Sequence, residues 1–124
     1  AVETLQSIGA EAYEGSVLDF NFNEIIGKKA DLLYILNPQI IVDAVFVNSC
    51  LNVGGYCICN NYHNTAEQIE SLDEMKPLGV MHQNMLVEES VSEILTNVRK
   101  FKKDNTEAFF TPFMDHRFIF QKIK

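Results

Sequence analysis

The sequence has no apolar run of about 18 residues, the length that a membrane-spanning helix needs. It also lacks the signal for export, which is a basic start followed by an apolar segment and a small-residue cleavage site. No repeat, low-complexity tract or linker interrupts its 124 residues. These absences predict a single domain over residues 1–124, located in the cytoplasm and not associated with a membrane.

Basic side chains are few. Ten Lys and Arg residues stand against 17 Asp and Glu residues, which gives a net charge of −7. A chain of this charge repels phosphate backbones and anionic lipids, so the composition argues against nucleic-acid and membrane partners. The basic residues that are present concentrate in 99–124, where we expect a solvated helix face and polar strand ends.

Cysteine is also sparse, with Cys50, Cys57 and Cys59 forming an odd set in a chain that is 47% hydrophobic. Such a chain can build its own core, so reduced thiols in a cytoplasm are favoured over a disulfide framework. Cys57, Cys59 and His63 can be written as a metal-binding pattern. Structural zinc sites need four ligands, however, so the favoured interpretation is cysteine packed in a sheet, and no metal is predicted.

The apolar pattern alternates between helical and extended spacing. It predicts helices over 1–9, 40–51, 65–75 and 88–103, strands over 30–36 and 56–59, and a terminal hairpin of 108–113 with 117–123. Residues 76–87 are predicted to be loop with a brief strand. The alternation indicates an α/β fold with a mostly parallel, doubly wound sheet and a C-terminal antiparallel hairpin.

Three familiar catalytic motifs are missing: GxSxG, HExxH and the phosphate-binding P-loop. The sequence therefore offers no basis for a nucleophile elbow, a zinc protease or a nucleotide hydrolase. The residues near His82 and His116 in the sequence form no recognisable catalytic or metal-binding pattern with them. Because ligands of open parallel sheets bind outside the carboxyl ends of the strands, those ends are where we look for a site.

The first strand end is Gly15-Ser16-Val17-Leu18-Asp19-Phe20. A carboxylate at this place can accept a hydrogen bond from an exocyclic amine while the Phe20 ring packs against a flat ligand ring. Equally, Asp19 can begin an Asx turn. The second strand end is Asn37-Pro38, which offers an amide and free carbonyls to a ligand or, alternatively, serves as the cap and first turn of the following helix.

The third strand end holds Asn60, Tyr62 and His63. An imidazole has an unperturbed pKa near about 6.5, which makes His63 the best general-base candidate in the chain. The alternative is an ordinary solvated loop histidine.

The order of these segments resembles the C-terminal two-thirds of a class I S-adenosylmethionine-dependent methyltransferase. The matching segments are GSVLDF at 15–20, ADLLYIL at 30–36, LNVGG at 51–55, YCIC at 56–59 and the closing hairpin at 109–123. The resemblance implies a Rossmann-like fold and S-adenosylmethionine as the cofactor. Its acceptor would be a small molecule or a sugar-pathway intermediate.

The resemblance also implies roles for particular residues. The Gly15-Ser16 strand end, with Asp19 and Phe20, would hold adenine. Leu36, Asn37 and Pro38 would face the methyl group, and Tyr62 or His63 would meet the acceptor as catalytic residues.

The family's glycine-rich cofactor loop would lie upstream of Ala1, so the resemblance predicts a sheet that is incomplete at its N-terminal side and a chain that binds the cofactor poorly alone. In the family, two strands lie between the strand that ends at Asp19 and the one that ends at Leu36. An exposed edge there would favour homo-oligomers. Two other functions stay open: a non-catalytic α/β binding or assembly module, and the distal part of another doubly wound nucleotide-binding enzyme such as a dehydrogenase.

Overall fold

The structure is a computed structural model that describes residues 29–36, 43–107 and 110–124. The strands are β1 (Ala30–Ile35), β2 (Leu51–Cys59), β3 (Met75–His82), β4 (Met85–Leu86) and β5 (Arg117–Lys122). The helices are α1 (Ala44–Ser49), α2 (Thr65–Glu70) and α3 (Val91–Asp104), with a 3-10 turn at Tyr62–Asn64. None of the described helices combines the length and the apolar character that crossing a bilayer requires.

The fold is mixed α/β, with a five-stranded open sheet in the order β1-β2-β5-β3-β4. Among the described residues only β1 and β2 pair in parallel, whereas β2 with β5, β5 with β3, and β3 with β4 are antiparallel. The predicted mostly parallel sheet is therefore not observed in this part of the chain. The reason is that β5 runs opposite to both β2 and β3 and lies between them, so β2 and β3, which share a direction, are not neighbours.

One hydrophobic core joins the three helices to a single face of the sheet. Its largest fully buried side chains include Phe118 and Phe120 from β5, Ile69 from α2, and Ile94 and Leu95 from α3. The two phenylalanines alternate with exposed or half-buried neighbours, as expected for a strand with one covered face. Helices on both faces, which a doubly wound sheet would have, are not found among the described helices.

The predicted strand at 30–36 is present as β1, and its apolar run is covered on one face only. Leu32 and Tyr34 are 56% and 52% exposed, while Leu33 and Ile35 pack against the core. A continuous apolar run is typical of a strand in a sheet that has helices packed on both faces. In this chain the described helices cover one.

The helix predicted over 40–51 is observed only as Ala44–Ser49, and residues 37–42 lie outside the described part of the chain. Asp43 caps it by accepting a hydrogen bond from the backbone N–H of Val45 at 2.9 Å. Leu51 belongs to β2 and not to the helix. Apolar residues, several of them β-branched, occur in both elements, so periodicity alone could not separate them.

Gly54 and Gly55 lie inside β2, upstream of the strand that the sequence predicted at 56–59. The β1–β2 register shifts between the pairs Ala30–Leu51 and Leu32–Tyr56, which marks a bulge. Gly54 has φ 90°, and a Cβ on Gly55 would lie 2.9 Å from the carbonyl oxygen of Asn52. The two glycines therefore allow the bulge for different reasons, one through its backbone angle and one through lack of space.

The amphipathic helix predicted over 88–103 is confirmed as α3, with Val91, Ile94, Leu95 and Val98 buried. The helix predicted over 65–75 is confirmed only as far as Glu70. Thr65 does not cap this helix: its hydroxyl donates to the carbonyl of Tyr62 at 2.7 Å, and the N-cap position belongs to Asn64.

Residues 75–86 form a hairpin, where the sequence predicted a loop with a brief strand. Gln83 and Asn84 connect β3 to β4 with φ of 52° and 65°, the two positive angles that a tight hairpin turn requires. Pro77 is tolerated in β3 because the register with β5 shifts there.

The predicted terminal hairpin is wrong in its first arm. Residues 108–109 lie outside the described part, and 110–116 contain turns instead of a strand. The second arm is β5, whose partners are β2 and β3.

At the end of β5, Lys122 is only 7% exposed. Its Nζ donates to the carbonyls of Asn48 and Leu51 at 2.8 and 3.0 Å, and so ties β5 to the end of α1 and the start of β2. Burial lowers the pKa of this ammonium group.

Candidate functional site

The carboxyl ends of β1 and β2 meet at one edge of the sheet, because the two strands are parallel and Ile35 pairs with Cys59. The next residues along each strand, Leu36 and Asn60, line a cavity of about 310 Å³ together with Tyr62. We call this cavity the edge cleft. Its remaining wall comes from the segment before β5 and from the first residue of β5: Phe110, Met114, Asp115 and Arg117.

A second cavity, of about 280 Å³, adjoins the first. We call it the loop cleft, since residues 61–64 form one wall; Lys102 from α3 and Thr111 lie among the others. Tyr62 and Met114 line both cavities. A side chain at position 62 can therefore contact ligands in either one.

Buried amides hold the segment after β2, Asn60–Asn64, in place. Asn60 and Asn61 are only 5% and 3% exposed. Asn60 Oδ1 accepts from the backbone N–H of Tyr62 at 3.3 Å. The Asn61 side chain bonds twice to Glu67, donating to Oε2 at 3.0 Å and accepting from its backbone N–H at 3.1 Å. The segment is thus fixed to the first turn of α2.

This fixation supports an uncommon backbone conformation. His63 and Asn64 have φ of 51° and 63°, in the left-handed region that non-glycine residues seldom occupy. Such conformations persist where the surroundings hold them and are concentrated at ligand sites. The Tyr62 and His63 rings meet edge to face with centroids 5.1 Å apart.

Charged side chains connect the helices behind the loop cleft. Lys102 donates to the side chains of Asn64 and Glu67. Arg99 pairs with Glu70 and, at 3.5 Å, with Glu67. Lys102 thus brings a cation to the cleft wall, and Glu67 balances its charge.

The Thr111 hydroxyl oxygen is buried and has no hydrogen-bond partner among the described residues. Because Thr111 lines the loop cleft, this hydroxyl offers a polar ligand a donor and an acceptor.

The structure brings together three of the predicted site residues. Leu36 and Tyr62 line the edge cleft, and His63 lies in the adjoining loop cleft. The other predicted cofactor-binding residues lie outside the described part of the chain: Gly15, Ser16, Asp19, Phe20, Asn37 and Pro38.

The three cysteines are buried and form no disulfide, and Cys57 and Cys59 belong to the core, as the packing interpretation predicted. A hydrogen bond with Cys57, together with burial, raises the pKa of Cys59 well above its usual value. A thiol with a raised pKa suits packing in the core.

The sequence missed a cluster that the structure forms from His82, Asp115 and His116. Asp115 Oδ2 lies 2.8 Å from His82 Nε2, and Oδ1 lies 3.0 Å from His116 Nδ1. The two imidazole rings stack with centroids 4.2 Å apart and planes 4° from parallel. The hydrogen bonds from His82 and then His116 lower the pKa of Asp115. We call this group the histidine cluster.

No protein-family model, curated protein or solved structure matches this chain. The arrangement of its own residues is therefore what supports a function.

Proposed function

We propose that this chain carries the catalytic region of an S-adenosylmethionine-dependent methyltransferase acting on a small-molecule or sugar-pathway acceptor. The observation that carries the proposal is the edge cleft, which places Leu36, Asn60 and Tyr62 together at the carboxyl ends of two parallel strands. Ligands of open α/β sheets bind at such ends.

Two features of the fold support the same proposal. The unit β1-α1-β2 is a parallel pair joined through a helix, as in nucleotide-binding sheets. The last strand, β5, is reversed relative to β2, in keeping with the antiparallel closing strands of the family that the sequence resembles. The proposal includes a doubly wound sheet continuing beyond β1.

The cofactor would supply an electrophilic methyl group on a sulfonium. The apolar Leu36 side chain suits a place against that methyl group, because it offers no competing nucleophile. Asp19 and Phe20 would hold adenine. Tyr62 lines both clefts and would orient the acceptor, while His63 would take the acceptor's proton as the methyl group is transferred in line.

The first experiment measures cofactor affinity. S-adenosylhomocysteine is titrated calorimetrically into the 124-residue chain and into the product of the complete reading frame that encodes it. We expect weak or no binding by the chain alone and clear binding by the reading-frame product. In that product, Leu36→Asp should weaken the affinity at least about tenfold, because it desolvates a carboxylate in the cleft.

The matched control is Leu86→Asp, since Leu86 in β4 is 70% exposed and lies outside both clefts. Asp19→Ala should also weaken binding, and an unchanged affinity would assign Asp19 to the Asx turn. Absence of binding by the reading-frame product would overturn the methyltransferase proposal. Binding of NADH instead would favour a dehydrogenase.

The second experiment separates binding from catalysis. Transfer of a tritiated methyl group to a small-molecule extract is compared for the parent protein, His63→Gln and Tyr62→Phe. His63→Gln should lower the transfer rate by about 10² or more while leaving the affinity for S-adenosylhomocysteine unchanged. An unchanged rate would leave His63 as a loop histidine.

A second candidate function, assembly through the sheet edge, rests on β1. Among the described residues β1 pairs only with β2, and its Leu32 and Tyr34 are more than half exposed. Exposed apolar edge strands recruit further strands. Leu32→Lys should shift a self-associated form to monomer in sedimentation equilibrium, whereas Val53→Lys, at a 66% exposed position of β2, should not.

A further inference from the structure

The antiparallel ladder of β3 and β5 places two histidines side by side. Met81 pairs with Arg117, so the next position across the ladder brings His82, the last residue of β3, opposite His116. Their stacked rings follow from this register. Residues 34 positions apart in the sequence thus present their nitrogens to the same place.

Asp115 adds a carboxylate that bridges a nitrogen of each ring. Each of its oxygens meets a different imidazole, and one donor atom from each of the three residues can be chosen so that all lie within 4.8 Å of one another. In a tetrahedral zinc site with bonds of about 2.0 to 2.1 Å, ligand atoms are about 3.3 Å apart. The separations from Asp115 are 2.8 Å to His82 Nε2 and 3.0 Å to His116 Nδ1, each from a different carboxylate oxygen, so a bound ion would replace these hydrogen bonds.

The backbone around the cluster is held on both sides. The β3–β4 turn follows His82 directly, with left-handed Gln83 and Asn84. Before His116, Phe113 has φ 67°, and its carbonyl accepts from the His116 N–H at 3.2 Å. The Phe113 ring also packs edge to face on His116 at 5.0 Å. A large residue is strained in this conformation, and such strain is typical of functional sites.

The cluster is also accessible. Asp115, His82 and His116 have side chains that are 74%, 32% and 12% exposed. An ion can therefore reach the donors from solvent and keep water in its remaining positions. Three protein ligands with an open position are the pattern of catalytic metal sites, and two imidazoles with one carboxylate suit zinc and related divalent ions.

We propose that His82, Asp115 and His116 bind one divalent transition-metal ion, with Zn²⁺ as the best fit. The ligand atoms are His82 Nε2, His116 Nδ1 and one oxygen of Asp115. Asp115 also lines the edge cleft, so the bound ion lies at the border of that cleft and can hold an oxygen donor of a ligand there. The site does not depend on methyl transfer.

The test is calorimetric titration of Zn²⁺ into the chelator-treated, reduced 124-residue chain. We expect one ion per chain and reversal by chelator. His82→Gln, His116→Gln and Asp115→Asn should each reduce the affinity at least about tenfold. His63→Gln is the matched control and should leave it unchanged, because His63 lies in the loop cleft and not in the cluster.

A second measurement uses the unmodified chain, so it holds even if a variant fails to fold. Co²⁺ should give the visible absorption of nitrogen and oxygen ligands without a thiolate charge-transfer band, since the three cysteines are buried elsewhere. Absence of one-to-one binding, equal affinity in all variants, or a thiolate band would overturn the proposal.

Discussion

The parallel half of the sheet, β1 with β2, and the antiparallel half, β5 with β3 and β4, build their polar groups in different ways. After β2, Asn60 and Asn61 are buried and bonded to backbone and to α2. In the antiparallel half, Asp115 is 74% exposed and is contacted by two imidazoles. The two buried amides after β2 thus stabilise the fold, whereas the Asp115 carboxylate remains available to a ligand.

The largest effect should come from the buried amide of the parallel half. Asn61→Ala removes two hydrogen bonds and leaves the Glu67 backbone N–H and carboxylate without them, which should lower the free energy of unfolding by about 2 to 4 kcal/mol. Urea denaturation measures it. Asn52→Ala is the control, because the Asn52 amide donates to Asp31 on the exposed surface. This substitution should lower the free energy of unfolding by less than about 1 kcal/mol. If the two variants lost equal free energy of unfolding, burial would not be what makes the Asn61 hydrogen bonds stabilising.

A pair of glycines, one in each half, gives the next comparison. Gly55→Ala in β2 would press a methyl group to within 2.9 Å of the Asn52 carbonyl oxygen, so we expect a loss of about 1 to 3 kcal/mol. Gly79→Ala in β3 would meet only the Leu86 side chain at 3.7 Å and should change stability by no more than about 1 kcal/mol. Thermal unfolding compares them, and a reversed ranking would show that the bulge relaxes.

The buried lysine that joins the halves should make stability depend on pH. Because burial lowers the pKa of Lys122 below its usual 10.5, the unfolded chain binds more protons in the range between the two values. The free energy of unfolding should therefore rise with pH in that range. Lys122→Met should remove this rise, whereas Lys124→Met, at an exposed position, should keep it. Parallel pH profiles for all three proteins would contradict the assignment.

The smallest effect should come from the histidine cluster without metal. Asp115→Asn should change the free energy of unfolding by less than about 1 kcal/mol at neutral pH, since the carboxylate is exposed. Its contribution is present above the usual carboxyl pKa and fades as pH falls through the lowered value. A loss as large as that of Asn61→Ala would mean that the cluster is structural.

The same contrast explains what the sequence could predict. The residues after β1 and β2 were predicted as site residues because a strand end is a local pattern, and Leu36, Tyr62 and His63 do line the clefts. The helix α3 was predicted because its apolar stripe is also local.

The histidine cluster could not be predicted in this way. It depends on the register between β3 and β5, and the sequence carries that register only through long-range packing. The β3–β4 hairpin was obscured by Pro77 and Gly79, which weaken a strand pattern, and by a Gln-Asn turn in place of the commoner Asn-Gly. The hydrogen bonds of Lys122 could not be predicted for a similar reason. Its two carbonyl partners lie more than 70 residues away in the sequence, and nothing near Lys122 indicates them.

The position of β5 also governs the order in which the protein can fold during synthesis. β5 is the last strand along the chain, yet it lies in the middle of the sheet and is the strand through which β2 connects to β3. Until Arg117–Lys122 has left the ribosome, β1–β2 and β3–β4 are separate two-stranded ribbons, which are marginally stable in water. Until β5 has been synthesised, the nascent chain therefore exposes the edges of β2 and β3 that β5 later covers, and this is when a chaperone would have most to protect.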